Sequence, residues 1–241
     1  MSLPAGGTAI VTGASRGVGE AIALALADAG MRLHLVGRDA EALQRVARQA
    51  RAAEGEHRCW RADLSDDGDV DRLSASLAGE LHSVAVLVHA AGVLHRAPIA
   101  QATAAQFDAQ YRTNVRAPFV LTQALLPQLQ AAQGQVVFVN SSAGVSARAT
   151  VGQYAASKHA LKAIADSLRE EVNGAGVRVL SLYLGRTATR MQEDLHALEG
   201  KAYDPQALIQ PPDVAALAVH ALSMPRSAEV TDIHLRPMRK P

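Results

Sequence analysis

Tyr154 and Lys158 stand four residues apart in a stretch of helical character, a spacing that brings both side chains out on one face. That spacing has a chemical use. A phenol ionises near ~10 and is a poor base at neutral pH, whereas an ammonium beside it stabilises the phenolate and makes the pair a proton donor and acceptor. Only four lysines occur (Lys158, Lys162, Lys201 and Lys240), so the pairing is not a by-product of a lysine-rich surface. Ser141 and Ser142 lie 13 and 12 residues upstream of Tyr154, directly after the apolar run Val136–Val139. A hydroxyl placed there stands at the carboxyl end of a strand, where parallel sheets bind their ligands.

A second cluster has the chemistry of a phosphate cradle. Thr12-Gly13-Ala14-Ser15-Arg16-Gly17-Val18-Gly19 follows an apolar run and opens a helical one. A pyrophosphate in such a turn rests on free helix N–H groups and the positive end of the helix dipole. Gly13 permits the sharp turn, Gly17 the close approach of backbone to phosphate, and Gly19 tight helix–strand packing. At the end of the second apolar run stands Gly37-Arg38, where an acidic residue would accept the ribose 2′-hydroxyl of NAD. Arg38 and Arg16 instead offer two guanidiniums to a 2′-phosphate, so NADP(H) is the expected cofactor. Asp39 is read as the cap of the following helix.

The elements that must position these groups alternate. Strands are expected at Thr8–Thr12, Arg32–Val36, His57–Arg61, Val84–His89, Gln135–Asn140, Val177–Tyr183 and Val230–Leu235. Most are apolar throughout, as strands covered on both faces must be. Helical stripes lie between them, among them Gly17–Gly30, Asp39–Glu54 and Asp213–Ser223, the last entered through Pro211-Pro212. Such alternation specifies an α/β fold, a doubly wound parallel β-sheet of about seven strands with helices on both faces. With no linker or repeat, residues 1–241 read as a single domain. The stretch Thr187–Gln210 is the least regular and is expected to be a mobile substrate loop.

Composition narrows the function classes. The net charge is +1 with 20% charged residues, which gives no footprint for nucleic acid or for an anionic membrane. No apolar run reaches membrane-spanning length, and Met1–Gly7 lacks the pattern of a secretory signal, so a cytoplasmic setting is expected. Cys59 is the sole cysteine and is read as packing, as is Trp60. None of the nine histidines forms a ligand pair, so no metal is expected. His95 and His196 are placed where they could face a substrate, although a solvated loop position is the plainer expectation for each.

Taken together, Thr12–Gly19, Ala62-Asp63-Leu64, Ala91-Gly92, Asn114, Ser141, Tyr154–Lys158 and Gly185–Thr189 resemble the motifs of the short-chain dehydrogenase/reductase family, in its short single-domain branch, over essentially the whole chain. The resemblance implies a Rossmann-like fold and hydride transfer between NADP(H) and a small-molecule carbonyl or alcohol. It makes Tyr154 the acid/base, with Lys158 lowering its pKa and holding the nicotinamide ribose. Ser141, three residues before Gly144, would orient the substrate oxygen, and Asn114 would hold a water of the proton relay. The cofactor would be held by Gly13, Ser15, Arg16, Gly17, Val18 and Gly19 of the turn and by Arg38. Asp63 and Leu64 would meet its adenine, Ala91 and Gly92 would flank it, and Gly185, Thr187 and Thr189 would reach its carboxamide and phosphates. A homodimer or homotetramer is implied, since the family pairs the helix that carries the tyrosine. The alternative is a nucleotide-binding regulator that kept the fold and lost turnover. Three departures stand out: His89-Ala90 where the family has Asn-Asn, Leu184 where it has proline, and a C-terminus from Thr231 without the usual glycines.

Overall fold

Every residue of β1 (Thr8–Thr12) is buried, and the reason is visible in its alternation. Ile10 belongs to one apolar layer, while Ala9 and Val11 belong to the other. A strand sandwiched in this way needs apolar side chains on both faces. The computed structural model describes residues 3–50 and 56–239. In chain order β1 is followed by α1 (Gly17–Asp28), β2 (Arg32–Gly37), α2 (Ala40–Gln49), β3 (Arg58–Arg61), α3 (Asp67–Glu80) and β4 (Val86–His89). Then come α4 (Ala104–Tyr111), α5 (Ala117–Ala131), β5 (Gln135–Ser141), α6 (Gly152–Val172), β6 (Arg178–Leu184), α7 (Arg190–Leu198), α8 (Pro211–Leu222) and β7 (Asp232–Leu235). Among the described residues seven strands form one sheet in the order β3-β2-β1-β4-β5-β6-β7, every pair parallel.

Helices α1, α2 and α8 cover one face through Ile22, Leu26, Leu43, Val46, Val214 and Ala218. Helices α3, α5 and α6 cover the other through Leu73, Leu77, Leu121, Leu125, Leu161 and Ala165. The chain winds outward from β1 to β3, then returns past β1 and winds the other way from β4. That reversal opens a crevice at the carboxyl ends of β1 and β4, the place where doubly wound sheets bind ligands. Among the described residues no helix is long and apolar enough to cross a membrane.

Local signals set most boundaries. Asp39 caps α2, its Oδ1 accepting the Ala42 N–H at 3.0 Å. The helix expected through Glu54 reaches Gln49, and residues 51–54 lie outside the described residues, as does Lys240. β4 begins at Val86 rather than Val84, because the Val84 N–H bonds the Gln128 carbonyl instead of a neighbouring strand. The segment expected to be irregular, Thr187–Gln210, carries α7 and a 3₁₀ turn at Pro205–Ala207. A parallel bridge between Thr187 and Ile209 closes its base.

Candidate active site

The glycine turn is packed as a phosphate cradle requires. Gly13 has φ +66°, and a Cβ there would lie 2.7 Å from the Ala91 backbone. A Cβ on Gly19 would lie 2.3 Å from the Gly13 carbonyl oxygen, so helix and turn approach as only glycine allows. Gly17, at φ +63°, faces the Thr189 methyl. Thr12 ties the turn to β4: its Oγ1 accepts the N–H groups of Ala90 and Ala91 at 3.2 and 3.3 Å. His89 is buried and stacked on Phe138, with Nε2 on the Thr122 hydroxyl at 2.8 Å. Burial alone lowers the His89 pKa to about 3, so the ring is neutral. Val18 packs on the core layer beneath α1. The Ser15 carbonyl is held by Arg45 at 3.0 Å, a contact that sequence reasoning missed.

Arg16 is exposed at the N-cap of α1, and Arg38 is exposed at the end of β2. Arg38 lies 4.0 Å from Asp63, and its carbonyl accepts Arg61 Nε at 3.4 Å. Arg61, opposite Gly37 in the β2–β3 register, adds a third guanidinium that the sequence reading passed over. Burial pushes the Asp63 pKa up, but hydrogen bonds from Ser65 and the Arg38 charge outweigh it and hold the carboxyl below its ordinary value. Leu64 is buried under this corner.

Across the crevice, β5 delivers Ser141 and α6 delivers Tyr154 and Lys158. The Ser141 hydroxyl accepts the Ala143 N–H at 3.1 Å and lies near enough to the Tyr154 phenol to influence its pKa, whereas Ser142 is exposed. Lys158, only 4% exposed, places Nζ 6.0 Å from the Tyr154 ring centre and donates to the Val139 carbonyl at 2.9 Å. Asn140, another residue not anticipated, locks strand to helix: it donates to the Lys158 carbonyl at 3.1 Å and accepts the Ser141 N–H at 2.7 Å. A Cβ on Gly144 would fall 2.6 Å from Asn140 Oδ1, which accounts for that glycine.

The pKa directions correct one expectation. Burial raises the Tyr154 phenol above its ordinary value, and the Ser141 hydrogen bond offsets this only in part. The same burial lowers Lys158 to about 8. In the protein alone, desolvation therefore outweighs the help that the ammonium was expected to give the phenolate.

Asn114 sits in a single π turn, Arg112–Arg116, that joins α4 to α5. Wide turns of this kind occur often at functional sites. Its amide bonds through both atoms: Oδ1 accepts the Val93 N–H at 2.9 Å, and Nδ2 donates to the Val93 carbonyl at 2.9 Å and Ser157 at 3.0 Å. Its backbone carbonyl is also available to a water. Pro118 has no N–H to offer that carbonyl from four residues on. Gly92 lies against this amide, with Lys158 Nζ 3.9 Å from where its Cβ would be.

Beyond β6, the Gly185 N–H bonds Leu235, and Pro237 closes over it, so the C-terminal residues wall this corner without glycines. Leu184 is buried opposite Ser141. Thr187 donates to the Gly185 carbonyl at 3.1 Å, and Thr189 donates to the Thr187 carbonyl at 3.2 Å. His196 is neither solvated nor in a loop: it is buried on α7, with Nδ1 on the Gln192 carbonyl and Nε2 on Arg186. His95 contributes its backbone, bonded to Gln110 and Gln153. Among the described residues no three His, Cys, Asp or Glu side chains are grouped to hold a metal ion.

The sequence profile of the short chain dehydrogenase family matches residues 7–200. An uncharacterised short-chain type dehydrogenase/reductase of Sinorhizobium fredii is 34% identical over 234 residues, covering 95% of this chain and 90% of its own. A metagenomic short-chain oxidoreductase solved in complex with NADP has a TM-score of 0.83 at 30% identity, covering 99% of this chain and 100% of its own. An alcohol dehydrogenase of Thermococcus sibiricus, complexed with 5-hydroxy-NADP, has a TM-score of 0.86 at 25% identity and 98% coverage of both chains.

Proposed function

The chain belongs to the short chain dehydrogenase family, and from that premise we propose that it is an NADP(H)-dependent oxidoreductase interconverting a carbonyl and an alcohol, with Tyr154 as proton donor and acceptor. The residues present fit the cofactor. Gly13, Ser15, Gly17, Val18 and Gly19 suit a pyrophosphate at the α1 N-terminus, in a turn whose close approaches at Gly13 and Gly19 leave no room for a Cβ. Arg16 and Arg38 suit a 2′-phosphate, with Asp63 and Leu64 at the adenine side. Ala91, Gly92, Gly185, Thr187 and Thr189 line the way to the nicotinamide, whose ribose Tyr154 and Lys158 would hold. When bound, NADPH supplies the hydride and NADP⁺ accepts it.

The chain's own residues handle the proton. Ser141 and Tyr154 hold the substrate oxygen from two sides, and Tyr154 gives its phenolic proton to the alkoxide as it forms. Lys158 steadies the resulting phenolate and, with a water at the Asn114 carbonyl, returns the proton. The observation that carries the proposal is the buried Lys158 ammonium 6.0 Å from the Tyr154 ring, with Ser141 near enough to that phenol to lower its pKa. A nucleotide-binding regulator would have no use for that arrangement.

Loss of NADPH absorbance over a panel of carbonyl compounds tests the proposal. Tyr154→Phe should cut turnover at least ~10²-fold, the lower end of what a positioned general acid contributes, while NADPH affinity by fluorescence titration stays within a few-fold. Near-normal turnover in Tyr154→Phe would sink the assignment.

A further inference from the structure

Arg96, Arg186, Glu199 and Lys201 form one cluster on segments that leave β4 and β6 and adjoin the start of α6, and none of them has a part in the chemistry above. Arg186 lies two residues past Leu184, the strand partner of Ser141. Arg96 comes from the loop after β4 and is fixed to the segment entering α6. Its Nε donates to the Thr150 hydroxyl at 2.6 Å, and the Ala97 N–H bonds the Thr150 carbonyl at 2.9 Å. Thr150, four residues before Tyr154, has φ +69°, a strained conformation for a β-branched residue that is typical of ligand clamps.

The two arginines meet on the Glu199 carboxylate at the end of α7. Arg186 Nη2 lies 2.8 Å from each carboxylate oxygen, Arg96 Nη1 pairs with Oε1, and Lys201 approaches Oε2 at 3.2 Å. His196 adds no charge. Its Nδ1 must carry a hydrogen to bond the Gln192 carbonyl, so Nε2 accepts from Arg186 as a neutral ring. Among the described residues, three cations thus face one carboxylate whose side chain is 9% exposed. The arginine side chains are 29% and 26% exposed. Guanidiniums drawn this far out of water are stabilised by anions, and the fork of Arg matches the two oxygens of a carboxylate. Ile99, Val145 and Met191 are exposed on these same three segments.

We propose that Arg96 and Arg186 are the receptor for a carboxylate carried by the substrate, that the preferred substrate is therefore a carbonyl compound that is also an acid, and that Glu199 holds the place of that carboxylate until the substrate arrives. The assignment narrows, and rests on, the oxidoreductase function proposed above. A carboxylate already between the guanidiniums favours this anion over a phosphate ester.

The test pairs 2-, 3- and 4-oxo acids of four to six carbons with their methyl esters in NADPH oxidation. At least one acid should exceed its ester at least tenfold in kcat/KM. Arg96→Gln and Arg186→Gln should each lower that ratio at least tenfold, mainly through KM. If carbonyls are reduced with no acid ahead of its ester in the unaltered protein, the receptor is overturned and the reductase stands, whether or not either variant folds. If no carbonyl is reduced, calorimetric titration with malonate, succinate and glutarate decides. Glu199→Gln should bind one of these at least tenfold more tightly than the unaltered protein. Such binding keeps the receptor while the reductase falls. Absence of binding in both proteins overturns the receptor.

Discussion

In the proposed mechanism Lys158 supports the proton transfer, and its own ionisation is set by burial. The folded value of about 8 lies below the ordinary 10.5. The ammonium is therefore present in the fold below about pH 8 and lost above it. Between these values the unfolded chain binds more protons, so the contribution of Lys158 to stability rises with pH over that window. Tyr154, pushed above its ordinary value, stays protonated across the same range. We expect kcat/KM for carbonyl reduction to decline as pH rises through about 8, because the ammonium is lost before the proton donor is. Lys158→Arg keeps its charge and should remove that break, at a lower overall rate. A pH–rate profile from 6 to 10 checks both, and no break between 7 and 9 with chemistry limiting would count against Lys158. The pairing of Tyr154 with Lys158 was legible in the sequence because a helix repeats every few residues, and Ser141 because it follows the apolar run of a buried strand. The upward shift of Tyr154 was not, because desolvation depends on what packs around it. Asn140 and Arg61 were missed for a related reason: their partners come from other elements, and no periodicity links them.

At the level of the elements, β1, the glycine turn and α1 form a unit whose close packing explains its sequence. Gly19→Ala would drive a Cβ to within 2.3 Å of a carbonyl oxygen that belongs to the turn itself. It should cost about 1–3 kcal/mol of stability, the usual range for overpacking, and weaken NADPH binding along with it. Gly79→Ala provides the contrast. Gly79 lies near the end of α3 with nothing within 4 Å of an added Cβ, so the change should stabilise by about 0.5 kcal/mol through helix propensity. Thermal melts of the two variants should move in opposite directions. The strands were legible because a strand covered on both faces needs an apolar run. Their starts were less so: Val84 and Val230 are apolar too, yet they precede the ladders that begin at Val86 and Asp232. The π turn at Asn114 left one mark in the sequence, Pro118, whose meaning emerges only once α4 and α5 are known to be continuous.

For the molecule as a whole, strand–helix alternation carried the doubly wound topology, but it carried nothing about α7. That helix rests on pairs such as Arg190 with Asp194 and on Glu199 reaching back to Arg186 and Arg96, ties that cross from one loop to another. The proposed NADP(H) site likewise draws residues from beyond the ends of β1, β2, β3, β4 and β6, from α6 and from the start of α7, so a ligand there binds the fold and not the unfolded chain. Such a ligand stabilises by about 2.7 kcal/mol at a hundred times its Kd, and for a chain of this size each kcal/mol raises Tm by roughly 2–4 °C. NADPH at that concentration should therefore raise the melting temperature by roughly 5–11 °C. The net charge of +1 gives no overall field to favour a phosphate, so the proposed preference over NADH rests on Arg16, Arg38 and Arg61. NADH at the same concentration should shift Tm less. Arg38→Asp should close the gap, since it turns a charge-assisted contact into repulsion of the 2′-phosphate and leaves a carboxylate near the ribose. Because Arg38 is exposed, with a side chain 61% accessible, the variant should melt near the unaltered protein when no ligand is added. Equal shifts with NADH and NADPH in the unaltered protein would overturn the choice of NADP(H), and no shift with either would overturn the site.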